Sequence, residues 1–200
     1  MVIRCVIAVE MDKTQKKINK MFNHDDGCLA SLGAMKPADY YQYAQAKIQS
    51  IGVIEKGFKK LGIEPEEVNE IPPVYVWGFP KDEKSRWVYN LNGCTLSYEV
   101  EGTCMYFSDS RIYLYSYRYD TINGTHKEVA EEFDYKDVVS VATFEETENR
   151  QIGKKKTMTV TYNLLKIVVP GDKMYFGFIN NSETDRLIKA AKQKIKEKKE

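Results

Sequence analysis

Cysteines at positions 5, 28, 94 and 104 and histidines at 24 and 126 are the side chains here best suited to hold a metal or attack a substrate. A structural zinc site takes four thiolate or imidazole ligands, usually in closely spaced pairs. No Cys-x-x-Cys pair is present. His24 and Cys28 stand four apart, the spacing of one helix face, but Asp25, Asp26 and Gly27 interrupt a helix there and no second pair follows. The expectation is no metal and no cofactor. Cys94 and Cys104 flank a plausible hairpin, yet a chain of 200 residues needs no disulfide to hold its core, so free thiols are expected. The sequence lacks Gly-x-Ser-x-Gly, a Walker-type phosphate loop, His-Glu-x-x-His and the dinucleotide fingerprint. His126 lies beside a turn and His24 in a polar break, which suits ordinary surface positions. The sequence therefore argues against an enzyme.

Charge points to other roles. Thirty Lys and Arg against 29 Asp and Glu leave a net charge of +1, so no global field draws nucleic acid, and none is expected as a partner. The densest basic cluster is Lys154, Lys155 and Lys156, in a hairpin loop. A second basic group, Lys81, Lys84 and Arg86, alternates with Asp82 and Glu83. These six are the candidate contacts for an anionic lipid or polyanion, because several phosphate charges require several charge-assisted contacts. The diluting acids make membrane contact the secondary reading. Lys189, Lys192, Lys194, Lys196, Lys198 and Lys199 crowd the last segment, whereas eight acids between Glu128 and Glu148 face only Lys136. Segregated charge within a near-neutral total favours a protein partner, self-association included. No apolar stretch reaches the ~20 residues of a membrane span. The opening Met1–Val9 run is broken by Arg4 and followed by Glu10 and Asp12, a poor signal peptide, so a cytoplasmic location is expected.

Two kinds of periodicity divide the chain into a helical region over 1–70 and a β region over 74–200. Met11, Gln15, Ile18 and Phe22 follow helical steps. Pro37 suits the first turn of one long helix to Leu61, with Tyr40, Ala44, Ile48, Ile51, Phe58 and Leu61 on its apolar face. Gly52 and Gly57 weaken that helix and mark points of close approach, and Gly62 fits its C-terminal cap. Pro65 opens a short turn, and Pro72-Pro73 ends the helical region. Strands are expected at Val74–Phe79, Ser85–Leu91 and Cys94–Val100, the last two joined by Asn92-Gly93, a two-residue hairpin turn. Arg111–Tyr119, His126–Tyr135, Asp137–Glu146, Thr157–Val169 and Lys173–Ile179 follow. A final helix over 183–199, capped by Ser182, carries the stripe Leu187, Ile188, Ala191 and Ile195. Fourteen tyrosines are many, and Tyr113, Tyr115, Tyr117 and Tyr119 fall on one strand face. Such a stripe suits a protein-contact surface, since aromatic side chains offer area at little entropic cost. It equally suits the face where the helical third buries Tyr40, Ile48, Ile51 and Phe58, and that need favours packing.

Asp109–Tyr115, Phe133–Val141 and Val168–Phe178 with the helix after it follow an order of turns and apolar positions. On these stretches residues 94–200 resemble a bacterial pleckstrin-homology-like domain, related in build to GRAM domains. The resemblance implies an α+β fold: an antiparallel, strongly bent sheet or partly open barrel of about seven strands, capped by the C-terminal helix. It implies a binding or scaffolding module rather than a catalyst, with phosphoinositide binding only where basic residues converge. The N-terminal third resembles nothing specific.

Overall fold

The computed structural model describes residues 11–23, 32–81, 89–152 and 156–200. The opening apolar run, His24, Cys28, Lys84, Arg86, Lys154 and Lys155 lie outside them, and of Lys156 only the backbone is described. The elements run α1 (Lys13–Asn23), α2 (Pro37–Ser50), α3 (Val53–Leu61), a 3-10 turn at Pro65–Val68, β1 (Val74–Gly78), β2 (Tyr89–Leu91), β3 (Cys94–Leu96), β4 (Glu99–Phe107), β5 (Arg111–Asp120) and β6 (His126–Asp134). A second 3-10 turn at Tyr135–Asp137 leads to β7 (Ser140–Ile152), β8 (Lys156–Val169), β9 (Asp172–Gly177) and α4 (Ser182–Glu197).

The fold is α+β, and all described strand pairs are antiparallel. The strands form a four-stranded sheet in the order β1-β4-β5-β6, a three-stranded sheet β7-β8-β9 and the separate hairpin β2-β3. The wall is thus divided between sheets and does not close. No helix among the described residues is long and apolar enough to cross a membrane.

Three expectations need correcting. The single helix over 37–61 is two, because Gly52 takes a left-handed backbone (φ 65°) that only glycine adopts cheaply, ending α2 and starting α3. The strand expected over Cys94–Val100 breaks at Ser97. There the Ser97 hydroxyl accepts the Glu99 amide at 3.1 Å, and its carbonyl accepts the Tyr40 hydroxyl at 2.6 Å. The chain then runs on as β4, buried throughout from Val100 to Phe107. Finally, α4 is capped by Asn181, whose side chain accepts the Thr184 amide at 2.9 Å, rather than by Ser182.

Strand alternation builds two cores from one sheet. On one face α1–α3 bury Ile18, Phe22, Tyr40, Ile48 and Val53 against Val100, Cys104, Tyr106, Tyr115 and Tyr117. On the other, Val74, Met105, Ile112 and Leu114 meet Leu165, Ile167 and Phe176 of the second sheet and Ile188, Ala191 and Ile195 of α4. The helical third thus shares a core with the sheet, and the tail packs into the core between the sheets.

Candidate functional site

Where β1 and β9 cross, the two sheets touch backbone to backbone. A Cβ on Gly78 would lie 2.5 Å from the Phe178 backbone, and one on Gly177 would lie 2.2 Å from the Phe79 carbonyl oxygen. Only glycine permits this approach. The seam is closed by the Ile179 amide donating to the Trp77 carbonyl at 2.8 Å.

The crossing delivers the Gly177 N–H to a carboxylate that sequence reasoning missed. Glu101, on β4, is 2% exposed. Its Oε2 accepts the Gly177 amide at 3.1 Å. Its Oε1 accepts Arg118 Nε at 3.2 Å, Arg118 Nη2 at 3.0 Å and the Ser116 hydroxyl at 3.1 Å. Register makes the pairing unavoidable, because Glu101 and Arg118 are direct cross-strand partners. Along this face of β5 the side chains pass from Ile112 and Leu114 to Ser116 and Arg118, so the apolar core ends in a charged pair.

Beside that pair lies a cleft of about 380 Å³, lined by Lys81, Arg118, Phe144, Glu146, Leu164 and Tyr175, with Pro80 and Gly177 completing its wall. Phe144, Leu164 and Gly177 share one register row, on the face opposite Leu165. Phe144 and Tyr175 stand edge to face, with centroids 6.0 Å apart, and the Lys166 ammonium sits 5.8 Å from the Phe144 centroid. Tyr175 is 46% exposed, large for an aromatic ring. Lys81 donates to Glu146 at 2.7 Å and lies 3.2 Å from Glu148, and these carboxylates raise its pKa, Glu146 foremost. The cleft therefore offers two aromatic rings between two cations that already have carboxylate partners.

Of the sequence candidates among the described residues, Lys81 alone lines this cleft. Missed were Glu101, Arg118, Phe144 and Tyr175. The one available signal was Arg118, a cation ending an otherwise inward-facing series. The tyrosine stripe lies elsewhere: Tyr115 and Tyr117 are buried beneath the helical layer, and Tyr113 and Tyr119 are half-buried. Lys56 of α3 and Lys47 of α2 lie over the Tyr117 and Tyr119 rings, 5.4 and 4.6 Å from their centroids. His126 stacks on Tyr117 at 5.0 Å. While the helices are docked, Tyr115 and Tyr117 offer nothing to a partner.

Cys94 and Cys104 are free thiols, and burial pushes both up to about 12. Burial likewise raises the phenols of Tyr75, Tyr106 and Tyr115. Among the described residues, no three His, Cys, Asp or Glu side chains are grouped to hold a metal ion. No protein-family profile, curated protein or solved structure matches the chain.

Proposed function

We propose that the chain is a non-catalytic binding module whose ligand is a segment of another protein, held in the seam cleft. Its build suits the pleckstrin-homology-like resemblance: over residues 94–200 seven strands, all antiparallel in their pairing, precede a helix packed into the core between the sheets. The observation that carries the reading is the state of the cleft's cations. Arg118 is bound to Glu101, and Lys81 to Glu146 and Glu148. A polyanion site needs converging cations without acid partners. Paired charges around two aromatic rings suit a peptide of mixed character, whose polar groups exchange with those already present. The two described thiols support a non-catalytic role for themselves: a nucleophilic cysteine needs a lowered pKa, and burial moves Cys94 and Cys104 the other way.

The test is a displayed-peptide library selected on the full chain, with the selected sequences then titrated as synthetic peptides. Tyr175→Ala and Phe144→Ala should each weaken binding about tenfold, the scale of an interface hot spot, without loss of the fold. Phosphatidylserine vesicles form the second arm. Sedimentation with vesicles, or peptide binding indifferent to both rings, would overturn the reading.

A further inference from the structure

We propose a second docking site, separate from the seam cleft: a trough between the start of β7 and α4 that takes an extended acidic segment of a partner protein as an added strand. Three observations meet there. First, β7 is the outer strand of its sheet among the described residues, pairing only with β8. Exposed strand edges are normally blunted with charge or proline. The acids of β7 begin at Glu145, and its first five residues, Ser140-Val-Ala-Thr-Phe144, carry neither. The edge of the four-stranded sheet at β6, by contrast, bears Glu128, Glu131, Glu132 and Asp134.

Second, a depression of about 340 Å³ runs beside this unguarded stretch, with Val139, Val141 and Ile195 among its lining. Val139 is 61% exposed, an uncommon position for a valine. Alternation puts Val141 on the opposite face from Phe144, so the trough and the seam cleft lie on opposite sides of β7.

Third, five lysines at the end of α4 and just beyond it, from Lys192 to Lys199, divide into two sets. Lys194 and Lys198 both bind Glu70, at 3.1 and 2.8 Å. Lys192, Lys196 and Lys199 border the trough instead. Among the described residues, Lys192 reaches only the Thr143 hydroxyl, at 3.5 Å, and Lys199 only the Val138 carbonyl, at 2.8 Å. Lys196 has Glu200 at 3.9 Å, both 72% exposed. Neutral oxygens do not discharge an ammonium, and an exposed pair is worth little. An open strand edge, an apolar trough and three cations select an extended segment with alternating acidic and apolar residues. Main-chain hydrogen bonds to β7 would supply affinity, and the lysines and valines would choose the sequence.

The probe is a fluorescein-labelled peptide of about ten residues alternating glutamate and valine, titrated onto the full chain. An all-glutamate peptide and a lysine–valine peptide serve as controls. Saturable binding is expected for the first peptide, at least about tenfold weaker binding for the all-glutamate one, and none for the lysine one. Amide shifts of the labelled protein should fall on residues 139–143 and 192–199. Lys192→Gln with Lys196→Gln should weaken binding about tenfold, and so should Val139→Glu. These side chains are not buried, so the variants' own melts should match wild type. Equal binding of the all-glutamate peptide would overturn the proposal, as would no binding, or shifts confined to the seam at Lys81, Arg118 and Tyr175. Concentration-dependent self-association abolished by the lysine substitutions would assign the trough to a second copy and overturn it too. Failure here leaves the seam reading intact, because the two sets of amides do not overlap.

Discussion

Replacing Glu101 tests the seam most directly. The carboxylate accepts two bonds from Arg118, one from Ser116 and one from the Gly177 amide. Removing one partner of a buried pair costs about 3–5 kcal/mol, because the other charge stays buried. The Arg118 side chain is 32% exposed and has Glu99 at 3.8 Å, so water and that second acid soften its loss. The low end of the range, about 3 kcal/mol, is therefore expected for Glu101→Ala. At roughly 2–4 °C per kcal/mol for a chain of this size, the melt should fall by about 6–12 °C. Glu101→Gln keeps one acceptor oxygen but turns an NH2 donor towards either the Gly177 amide or Arg118, and should cost about 1–3 kcal/mol, the penalty of a buried donor left unpaired. Circular dichroism melts measure both. Hydrogen exchange adds a local reading: the Gly177 N–H should lose protection in the alanine variant before its strand neighbours do. Melts of both variants within about 1 °C of wild type would refute the view that this carboxylate ties the two sheets together.

Three further outcomes follow from the geometry. Gly57→Ala should cost about 1–3 kcal/mol by overpacking, because its Cβ would lie 2.0 Å from the Tyr106 hydroxyl oxygen. Adding Tyr106→Phe, which deletes that atom, should recover part of the loss in a thermal melt. Truncation before residue 183 removes Ile188, Ala191 and Ile195 from the core between the sheets and should give an insoluble or molten product, whereas an unchanged cooperative melt would disprove that the last helix completes this core. Glu70 is held down to about 2 by hydrogen bonds from the ammonium groups of Lys198 first and then Lys194, so its contribution is present above the ordinary carboxylate value of 4.5 and fades as pH falls towards 2. Glu70→Gln should flatten the acid limb of stability between those values, and an unaltered limb would contradict the assignment.

Local signals in the sequence were readable where a residue's own neighbours decide its structure. Asn92 and Gly93 both take positive φ (51° and 81°), as a two-residue hairpin turn requires. The tail stripe at Ile188, Ala191 and Ile195 is buried as its periodicity implies. Alternation in β5 separates Ile112 and Leu114 from Tyr115 and Tyr117. What stayed hidden was non-local. Glu101, Gly102 and Thr103 interrupt the apolar pattern of β4, so the stretch does not read as a buried strand. Glu101 passes for a surface acid until folding brings Gly177, 76 positions away, to its Oε2. Gly78 and Gly177 read as strand ends, and neither predicts that it will lie against the chain beside the other.

The seam also separates stability from recognition. A buried ion pair is weak evidence for stability, and replacing both partners by groups of similar shape is often close to neutral, whereas removing one leaves an orphan charge. Glu101→Gln with Arg118→Met should therefore melt closer to wild type than Glu101→Ala does. The glutamine still accepts the Gly177 amide, and no unpaired cation remains beside it. The cleft would lose its arginine while keeping Phe144 and Tyr175. A peptide selected on the wild-type cleft should then bind the double variant about tenfold less well, with the fold intact. If the double variant instead loses as much stability as the two single substitutions added together, Glu101 and Arg118 act independently. Undiminished peptide binding by the double variant would make the charged end of β5 a part of the fold rather than a surface for a partner.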